Sequence, residues 1–312
     1  MSKVLLITGA TGKQGGAVID ALIDQKVDCT ILAVTRDASS AGAKKLASKA
    51  TNIKLVQGNL DDSPALFAAA TEAAAPSPIW GVYSVQISLG KGVTKDSEIA
   101  QGTALIDEAI KHKVGHFVYS SVERGGDEAS WDAPTPVPHF QSKQRIEQHL
   151  RDATALGTPG DSMAWTVLRL VAFMDNLAPG MPTKVFLTAL RDALQGKSTQ
   201  WVAVHDIGVF AALAFANPDE WRNVAMGLAG DELSFGEMSE RFQRTTGYPV
   251  PSTYWFFGSA LMYMLGELNT MITWFATDGY KADVAKCRQK NPKMMDLETW
   301  LRKKSEFQTK DE

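Results

Sequence analysis

The amino-acid sequence predicts an α/β protein with a doubly wound parallel sheet and a smaller mixed C-terminal lobe. A short apolar strand at residues 4–7 runs into three glycines spaced three apart, and a helix follows them. Strands and helices then alternate regularly as far as Leu170, which is typical of a parallel sheet covered by helices on both faces. Beyond Leu170 the alternation becomes irregular, so we expect a smaller lobe of mixed structure there.

The first strand and its glycine turn give the strongest functional indication. Every residue at positions 4–7 is apolar, as in a strand that is buried on both faces. Gly9, Gly12 and Gly15 follow in the pattern G-x-x-G-x-x-G. A helix that starts through such a turn leaves its first N–H groups exposed and binds anions, most often the pyrophosphate of a dinucleotide. The alternative is a turn that only connects two elements, which is the less favoured reading at the first strand of a long chain.

The other elements of the predicted sheet follow in order along the chain. We expect further strands at residues 29–35, 53–56, 79–85, 116–120 and 165–170, with helices at 64–75, 99–110 and 139–153. Asp96 and Ser97 precede the second of these helices and can cap it. In the last third we expect a helix at 184–194, a short strand at 201–204, and loops at Pro218, near Asp231 and at 249–251.

Composition narrows the class of protein. The chain has 312 residues, of which 45% are apolar and 21% charged, and its net charge is −3. These values are ordinary for a globular protein, and they argue against direct nucleic-acid binding. Cys29 and Cys287 fit no metal spacing, so we expect no metal site. The chain enters a strand at once, and the apolar-rich stretch at 251–266, which glycine interrupts, is shorter than the roughly 20 apolar residues of a membrane span. We therefore expect no signal segment, no membrane span and a cytoplasmic location.

Arg36 ends the second strand, where a NAD-binding chain usually places an acid for the ribose diol. A guanidinium at this position can hold a 2′-phosphate with two hydrogen bonds, although it could also be a solvated surface group. The position favours NADP over NAD. Asp61 and Asp62 follow the third strand. They lie either near an adenine edge or at the cap of the next helix, and the sequence leaves both interpretations open.

Several motifs together resemble the NmrA-like family of atypical short-chain dehydrogenases/reductases, which includes nitrogen-metabolite regulators and NADPH-sensing proteins. These motifs are GATGKQGG at 9–16, Arg36, VYSS at 118–121, HFQSK at 139–143, RLVAFMDN at 169–176, and NP at 291–292 with ETWL at 298–301. The resemblance covers nearly the whole chain. It implies an NADP-binding Rossmann domain at residues 1–156. Residues 157–312 would supply the remaining strands and a small lobe for a substrate or partner, interleaved in one unit.

The resemblance also implies which residues hold NADP(H). Those expected at the pyrophosphate are Gly9, Thr11, Gly12, Lys13, Gln14 and Gly15. Those expected at the 2′-phosphate are Arg36, Ser39 and Ser40, and those at the adenine are Asn59 and Leu60. Ser84, Val85 and Gln86 would line the middle of the dinucleotide, while Lys143, Phe173, Met174, Asp175 and Asn176 would lie near the nicotinamide.

The expected catalytic pair is altered in this chain. Reductases of the wider superfamily use Tyr-x-x-x-Lys, in which two residues on one helix face cooperate in proton transfer. Here the tyrosine position is His139, and Lys143 follows four residues later. An imidazole can also donate a proton near neutral pH, but His139 could merely begin a helix while Lys143 holds a ribose. Ser120 and Ser121 end the fifth strand, where reductases keep a catalytic serine. Lys143, His139 and Ser121 are therefore candidates, and none is assigned.

Residues 254–275 are unusually rich in aromatic residues and methionine. Leu261, Leu265, Leu268, Ile272 and Phe275 form one helical stripe, and Met262, Tyr263, Met271 and Trp274 lie on other faces. The stripe predicts a core helix in preference to a docking face for a partner. We also expect Phe173, Met174 and parts of this region to line a cleft for an apolar group.

Two classes of function are consistent with these features. One is a regulator, in the cytoplasm or nucleus, that senses the NADPH/NADP ratio through a protein partner such as a transcription regulator. The other is an NADPH-dependent reductase of a small carbonyl or conjugated substrate. The missing tyrosine and the net charge favour the regulator, whereas Lys143 and the two serines favour the enzyme. The sequence alone favours the regulator, and it indicates neither the substrate nor the oligomeric state.

Overall fold

A computed structural model describes residues 2–88, 90, 92–264 and 266–310, with only the backbone described at 259–262 and 264. The chain divides into two compact units. The first contains Met1–Val122, Gln141–Arg169 and His205–Met226, and the second contains Glu123–Phe140, Leu170–Val204 and Gly227–Glu312. The division at residue 156 that the sequence suggested stays a prediction.

The described strands are β1 (Lys3–Ile7), β2 (Cys29–Thr35), β3 (Ile53–Gln57), β4 (Ile79–Ser84), β5 (His116–Val122), β6 (Ala164–Leu170), β7 (Ala172–Phe173), β8 (Ser198–Val202), β9 (Val224–Leu228) and β10 (Asp231–Ser234). The described helices are α1 (Lys13–Asp24), α2 (Ala41–Ala47), α3 (Ser63–Ala74), α4 (Lys95–Lys111), α5 (Pro138–Ala153), α6 (Met181–Leu194), α7 (Val204–Ala216), α8 (Phe235–Thr246), α9 (Trp255–Met264), α10 (Gly266–Thr277), α11 (Val284–Lys290) and α12 (Leu297–Lys303).

The main sheet confirms the predicted doubly wound architecture. Its seven strands lie in the order β3-β2-β1-β4-β5-β6-β9. β1 pairs in parallel with β2 on one side and with β4 on the other. The direction of winding therefore reverses between β1 and β4, and the carboxyl ends of strands at such a reversal are where doubly wound sheets bind ligands.

Buried apolar strands explain why the sequence forms this sheet. Leu5, Leu6 and Ile7 of β1 are completely buried, and every residue of β5 and β6 is buried as well. Burial on both faces is possible because helices pack against the sheet, among them α1 against β1 and α4 against β4.

The helix starts follow local capping chemistry. Asp62 accepts a hydrogen bond from the backbone N–H of Ala65 and caps α3, so this carboxylate takes the capping role that the sequence left open. The N-cap of α4 is Thr94, and Ser97 completes a capping box with it. Ser97 thus takes part in the cap, whereas Asp96 lies in the first turn of the helix.

The second unit contains a small mixed sheet, as the sequence predicted for the C-terminal lobe. β8 pairs antiparallel with β10 and parallel with β7. Two local predictions were wrong. The strand expected at 201–204 is β8 at Ser198–Val202, and the region of Asp231 is strand β10 instead of a loop, because Asp231 pairs with Trp201 across the sheet.

The described part of 254–275 contains two helices, α9 from Trp255 and α10 from Gly266. Leu265 lies outside the described residues, and so do the side chains of Leu261 and Met262. In α10 the stripe residues Ile272 and Phe275 are buried, which confirms that this part of the stripe belongs to the core. Trp274, on another face of the helix, is buried as well. In and before α9 the aromatic side chains are exposed: Tyr254, Trp255, Phe256, Phe257 and Tyr263. No helix in the described ranges has the length and apolar character needed to cross a bilayer.

Candidate functional site

The glycine turn after β1 is shaped by very close backbone contacts. Gly9 has φ of +60°, and the N–H of Gly12 donates to the Gly9 carbonyl at 2.9 Å. A Cβ on Gly15 would lie 2.4 Å from the Gly9 carbonyl oxygen and 2.6 Å from that of Thr8. No side chain fits there without moving the backbone, so glycine is required at position 15 for α1 to start directly behind β1.

The start of α1 has the properties of an anion site. Its N-cap, Gly12, makes no side-chain capping bond, and the first turn contains no acidic residue. Thr11, Gly12 and Lys13 are exposed. Neither a side chain at the N-cap nor an acid in the first turn therefore compensates the first N–H groups and the positive end of the helix dipole. The residues present fit a pyrophosphate.

Gln14 connects this turn to the neighbouring strands. Its side-chain oxygen accepts hydrogen bonds from the Ser120 hydroxyl at 2.6 Å and the Tyr83 hydroxyl at 3.2 Å. Thr8 adds a second connection, because its hydroxyl oxygen accepts from the N–H of Val85 at 2.9 Å. Hydrogen bonds therefore hold both ends of the turn. Thr8, before it, bonds to Val85 just after β4, and Gln14, after it, bonds to β4 and β5.

Arg36 stands exposed at the end of β2 and makes no hydrogen bond or ion pair within the described ranges. The next residue, Asp37, accepts from the N–H and the hydroxyl of Ser39, and these bonds lower the pKa of its carboxyl. The Ser40 hydroxyl donates to the Asp37 carbonyl and caps α2 through the N–H of Ala43. Three residues are expected at a 2′-phosphate. Arg36 faces solvent, whereas the hydroxyls of Ser39 and Ser40 both donate hydrogen bonds to Asp37.

Residues after β3 are held in a local network. Asn59 is exposed and Leu60 is half-buried. Asp61 accepts hydrogen bonds from Gln101 and Asn59, and these bonds lower the pKa of its carboxyl. Asn59 and Leu60 as adenine contacts stay a prediction.

Gln86, just after β4, has a buried side-chain acceptor. The Gln86 side-chain amide donates to the Ser84 hydroxyl oxygen at 2.9 Å. Its own oxygen, Oε1, is buried and accepts no hydrogen bond from the described residues. A buried unsatisfied acceptor is costly, and one at a sheet's ligand-binding edge fits a position where a ligand supplies the donor. Ser84 and Gln86 therefore fit the middle of a dinucleotide.

Lys143, on α5, belongs to a buried polar cluster that also includes Glu98 of α4. Its Nζ is 3.0 Å from Oε1 of Glu98 on α4. The same carboxylate accepts from the Ser88 hydroxyl at 2.8 Å and from the Ser142 hydroxyl. Sequence reasoning did not identify Glu98, but a signal was available. Glu98 shares the buried face of α4 with Gly102, Leu105, Ile106 and Ala109, and an acid on such a face usually has a buried partner.

The two serines of β5 have different partners. Ser120 donates to Gln14, whereas Ser121 donates to Glu147 on α5. Glu147 also forms a fully buried ion pair with Arg169 at 2.8 Å. Ser121 therefore contributes to a structural network, and its catalytic role stays a prediction.

In the second unit, His139 forms a pair with an acid. Its Nδ1 lies 2.8 Å from Oε1 of Glu267 on α10. The neighbouring Phe140 is buried and packs edge-to-face on Trp274, with ring centroids 5.1 Å apart. No local pattern points to Glu267, which is 128 positions away from His139.

The segment after β6 also belongs to the second unit. Met174 is fully buried, Phe173 is half-buried and Asn176 is exposed. Asp175 accepts from the N–H of Val204 at 2.8 Å at the start of α7. Their proximity to a nicotinamide and the expected apolar cleft both stay predictions. Among the described residues, no three His, Cys, Asp or Glu side chains are grouped to hold a metal ion.

The sequence matches a known protein family over nearly its whole length. A model of the NmrA-like family matches residues 1–301. The NmrA-like family domain-containing oxidoreductase hkm9 of Aspergillus hancockii is 28% identical over 258 residues, which are 79% of this chain and 73% of that protein.

Solved structures share the fold over nearly the whole chain. Triphenylmethane reductase of Citrobacter sp., complexed with NADP(H), has a TM-score of 0.71 at 15% identity, covering 96% of this chain and 99% of that one. NmrA, a negative transcriptional regulator solved with NADP and with NAD, has a TM-score of 0.66 at 18% identity, covering 97% and 95%. At these identities the likeness concerns the fold alone.

Proposed function

The chain belongs to the NmrA-like family, and from that premise we propose that it binds NADP(H) and acts as an NADPH-dependent oxidoreductase of a small carbonyl or conjugated substrate. The observation that carries the catalytic part is the pair between His139 and Glu267, 2.8 Å apart. It supplies an acid-oriented imidazole at the position where the wider superfamily has a tyrosine.

Cofactor binding is supported by three features of the first unit. Gly12 makes no side-chain cap at the start of α1, whose first turn has no acidic residue. Within the part of the chain that the structure describes, the exposed Arg36 has no partner and the buried Gln86 Oε1 has no donor. Together they would hold the pyrophosphate, the 2′-phosphate and the middle of the dinucleotide. Arg36 favours NADP(H) over NAD(H) because a guanidinium matches a dianionic phosphate.

Proton transfer would fall to His139. When bound, NADPH supplies the hydride for the reduction. A carboxylate beside an imidazole fixes the orientation of the ring and stabilises its protonated form. Glu267 would do this through Nδ1, and the ring would then deliver a proton to the substrate. A buried aromatic ring, Phe140, packs on the imidazole at a centroid distance of 4.7 Å and further restricts its motion.

A regulator that senses the NADPH/NADP ratio is the second candidate. It is favoured by the exposed aromatic side chains at Tyr254, Trp255, Phe256 and Phe257, since exposed apolar patches often contact other macromolecules. The charge of Lys143 is balanced by Glu98, which also suits a protein that holds a cofactor without turning it over. The His139–Glu267 pair has no evident use in such a regulator, and for that reason we place the oxidoreductase first.

The test is NADPH oxidation by the purified protein with a panel of quinones, aldehydes and enones. We expect turnover that His139→Phe abolishes and Glu267→Gln reduces, with NADPH affinity retained in both variants. His149→Phe is a matched control, because His149 also lies on α5 and pairs with an acid, Asp107, at the exposed surface. Absence of turnover with every acceptor, together with a partner whose affinity differs between the NADP- and NADPH-bound forms, would instead support the regulator.

A further inference from the structure

Three polar side chains meet beneath the glycine turn. The Gln14 oxygen Oε1 accepts from Ser120 Oγ at 2.6 Å and from Tyr83 Oη at 3.2 Å. Both hydroxyl-bearing side chains are buried, Tyr83 completely and Ser120 to 1% exposure. They come from adjacent parallel strands, β4 and β5, whereas Gln14 is the second residue of α1. The start of α1 is thus fixed to two strands through one amide group.

We propose that Ser120 is a positioning residue for the cofactor: with Tyr83 it holds the Gln14 amide so that its N–H groups face a bound pyrophosphate. This inference rests on the proposed binding of NADP(H). Ser120 is one of the two serines of β5 that lie where the superfamily keeps a catalytic serine. Its proposed role is in cofactor affinity instead of substrate activation.

The geometry of a planar amide supports this role. Two hydroxyl donors occupy Oε1, so the NH₂ group on the other branch of the amide is directed away from β4 and β5. Within the described ranges, that NH₂ group has no hydrogen-bond partner. It therefore has two donors to offer beside the uncapped N–H groups of α1, and phosphate oxygens accept from such donors readily.

A catalytic role for Ser120 is less consistent with these contacts. A hydroxyl has one proton to donate, and that of Ser120 is directed to Gln14 in a short bond. The buried surroundings hold the side chain in this orientation. Loss of the hydroxyl should therefore act through Gln14.

The test is calorimetric titration of NADPH into the full chain and four variants: Ser120→Ala, Gln14→Ala, the double variant Ser120→Ala/Gln14→Ala and the control Ser121→Ala. We expect Ser120→Ala to weaken NADPH binding about 3- to 10-fold, because one net hydrogen bond no longer positions the amide. In the Gln14→Ala background the same change should alter the dissociation constant by less than about twofold. Ser121→Ala removes the adjacent buried hydroxyl, whose partner is Glu147, and should lower stability while leaving NADPH affinity within about twofold.

The outcomes separate this role from the proposed function. Independent, additive effects of Ser120→Ala and Gln14→Ala on NADPH affinity would overturn the positioning role alone. So would a Ser120→Ala variant with unchanged affinity and lost turnover, which would make Ser120 catalytic. A wild-type protein that binds neither NADPH nor NADP would overturn the proposed function and this role together. Thermal unfolding of each variant without cofactor shows whether a loss of affinity comes from a loss of folded protein.

Discussion

Lys143 Nζ lies 3.0 Å from Glu98 Oε1, and the two side chains are only 11% and 1% exposed. The family resemblance places Lys143 beside the cofactor. In the structure its ammonium group already forms a buried ion pair with Glu98. The carboxylate is held in turn by Ser88 and Ser142. Burying two charges is expensive, and it is tolerated when the pair is well hydrogen-bonded. The arrangement fixes Lys143 in place before any ligand binds.

Breaking this pair should destabilise the protein strongly. Glu98→Gln or Lys143→Met alone leaves one buried charge uncompensated, which typically costs about 3–5 kcal/mol in the free energy of unfolding. Both changes together should cost less than the sum of the two, as measured by urea denaturation. Lys49→Met removes an exposed partner of Asp20 and should cost less than about 1 kcal/mol. Additive single effects would contradict the pairing.

Gly15→Ala should damage both stability and cofactor binding. The new Cβ would lie 2.4 Å from the Gly9 carbonyl oxygen, so the turn or the start of α1 must move, at a cost of about 1–3 kcal/mol or more. Gly42→Ala is the matched control, because its Cβ would meet nothing within 4 Å in α2. It should stabilise the helix by about 0.5–1 kcal/mol. The measurements are thermal unfolding and NADPH titration, and a Gly15→Ala variant that binds NADPH normally would contradict the close contact.

Elements with a clear local sequence pattern could be predicted, whereas elements that depend on distant partners could not. β2 was expected at residues 29–35, where the structure has it, because its apolar run is bounded by polar residues. β10 was missed because its residues Asp231 and Glu232 look like a loop, and only their pairing with β8 makes them a strand. The same limit applies to the site. The Gly15 turn is a local motif, whereas the partners Glu98 and Glu267 are brought to Lys143 and His139 by folding alone.

His116 should make stability fall in mild acid. Burial, with the charges of Lys3 and Arg222, lowers its pKa to about 4 from 6.5. Because the unfolded chain binds the proton first, this stabilisation is fully present above about pH 6.5 and is lost as the pH falls through 4. Between about pH 7 and 5 the wild type should lose about 2 kcal/mol more than His116→Gln, which does not titrate. Equal losses in urea titrations at the two pH values would show that His116 does not titrate as expected.

The two cysteines should be unreactive in the folded protein. Cys29 and Cys287 are buried, and burial is the main cause that raises each pKa to about 11. The reactive thiolate is therefore scarce at neutral pH. A thiol reagent such as Ellman's should label neither residue readily in native protein and both in urea. Fast labelling of one thiol without denaturant would show that its surroundings open.

The central claim, an NADP(H) site at the glycine turn and Arg36, is tested most directly by calorimetric titration of NADPH and NADH into the wild type and Arg36→Ala. The wild type should bind NADPH more tightly than NADH. Arg36→Ala should lose about 1.5–3 kcal/mol of binding free energy for NADPH and far less for NADH, because only NADPH carries the 2′-phosphate. Equal losses for both dinucleotides, or no binding of either by the wild type, would show that Arg36 and the glycine turn do not form an NADP(H) site.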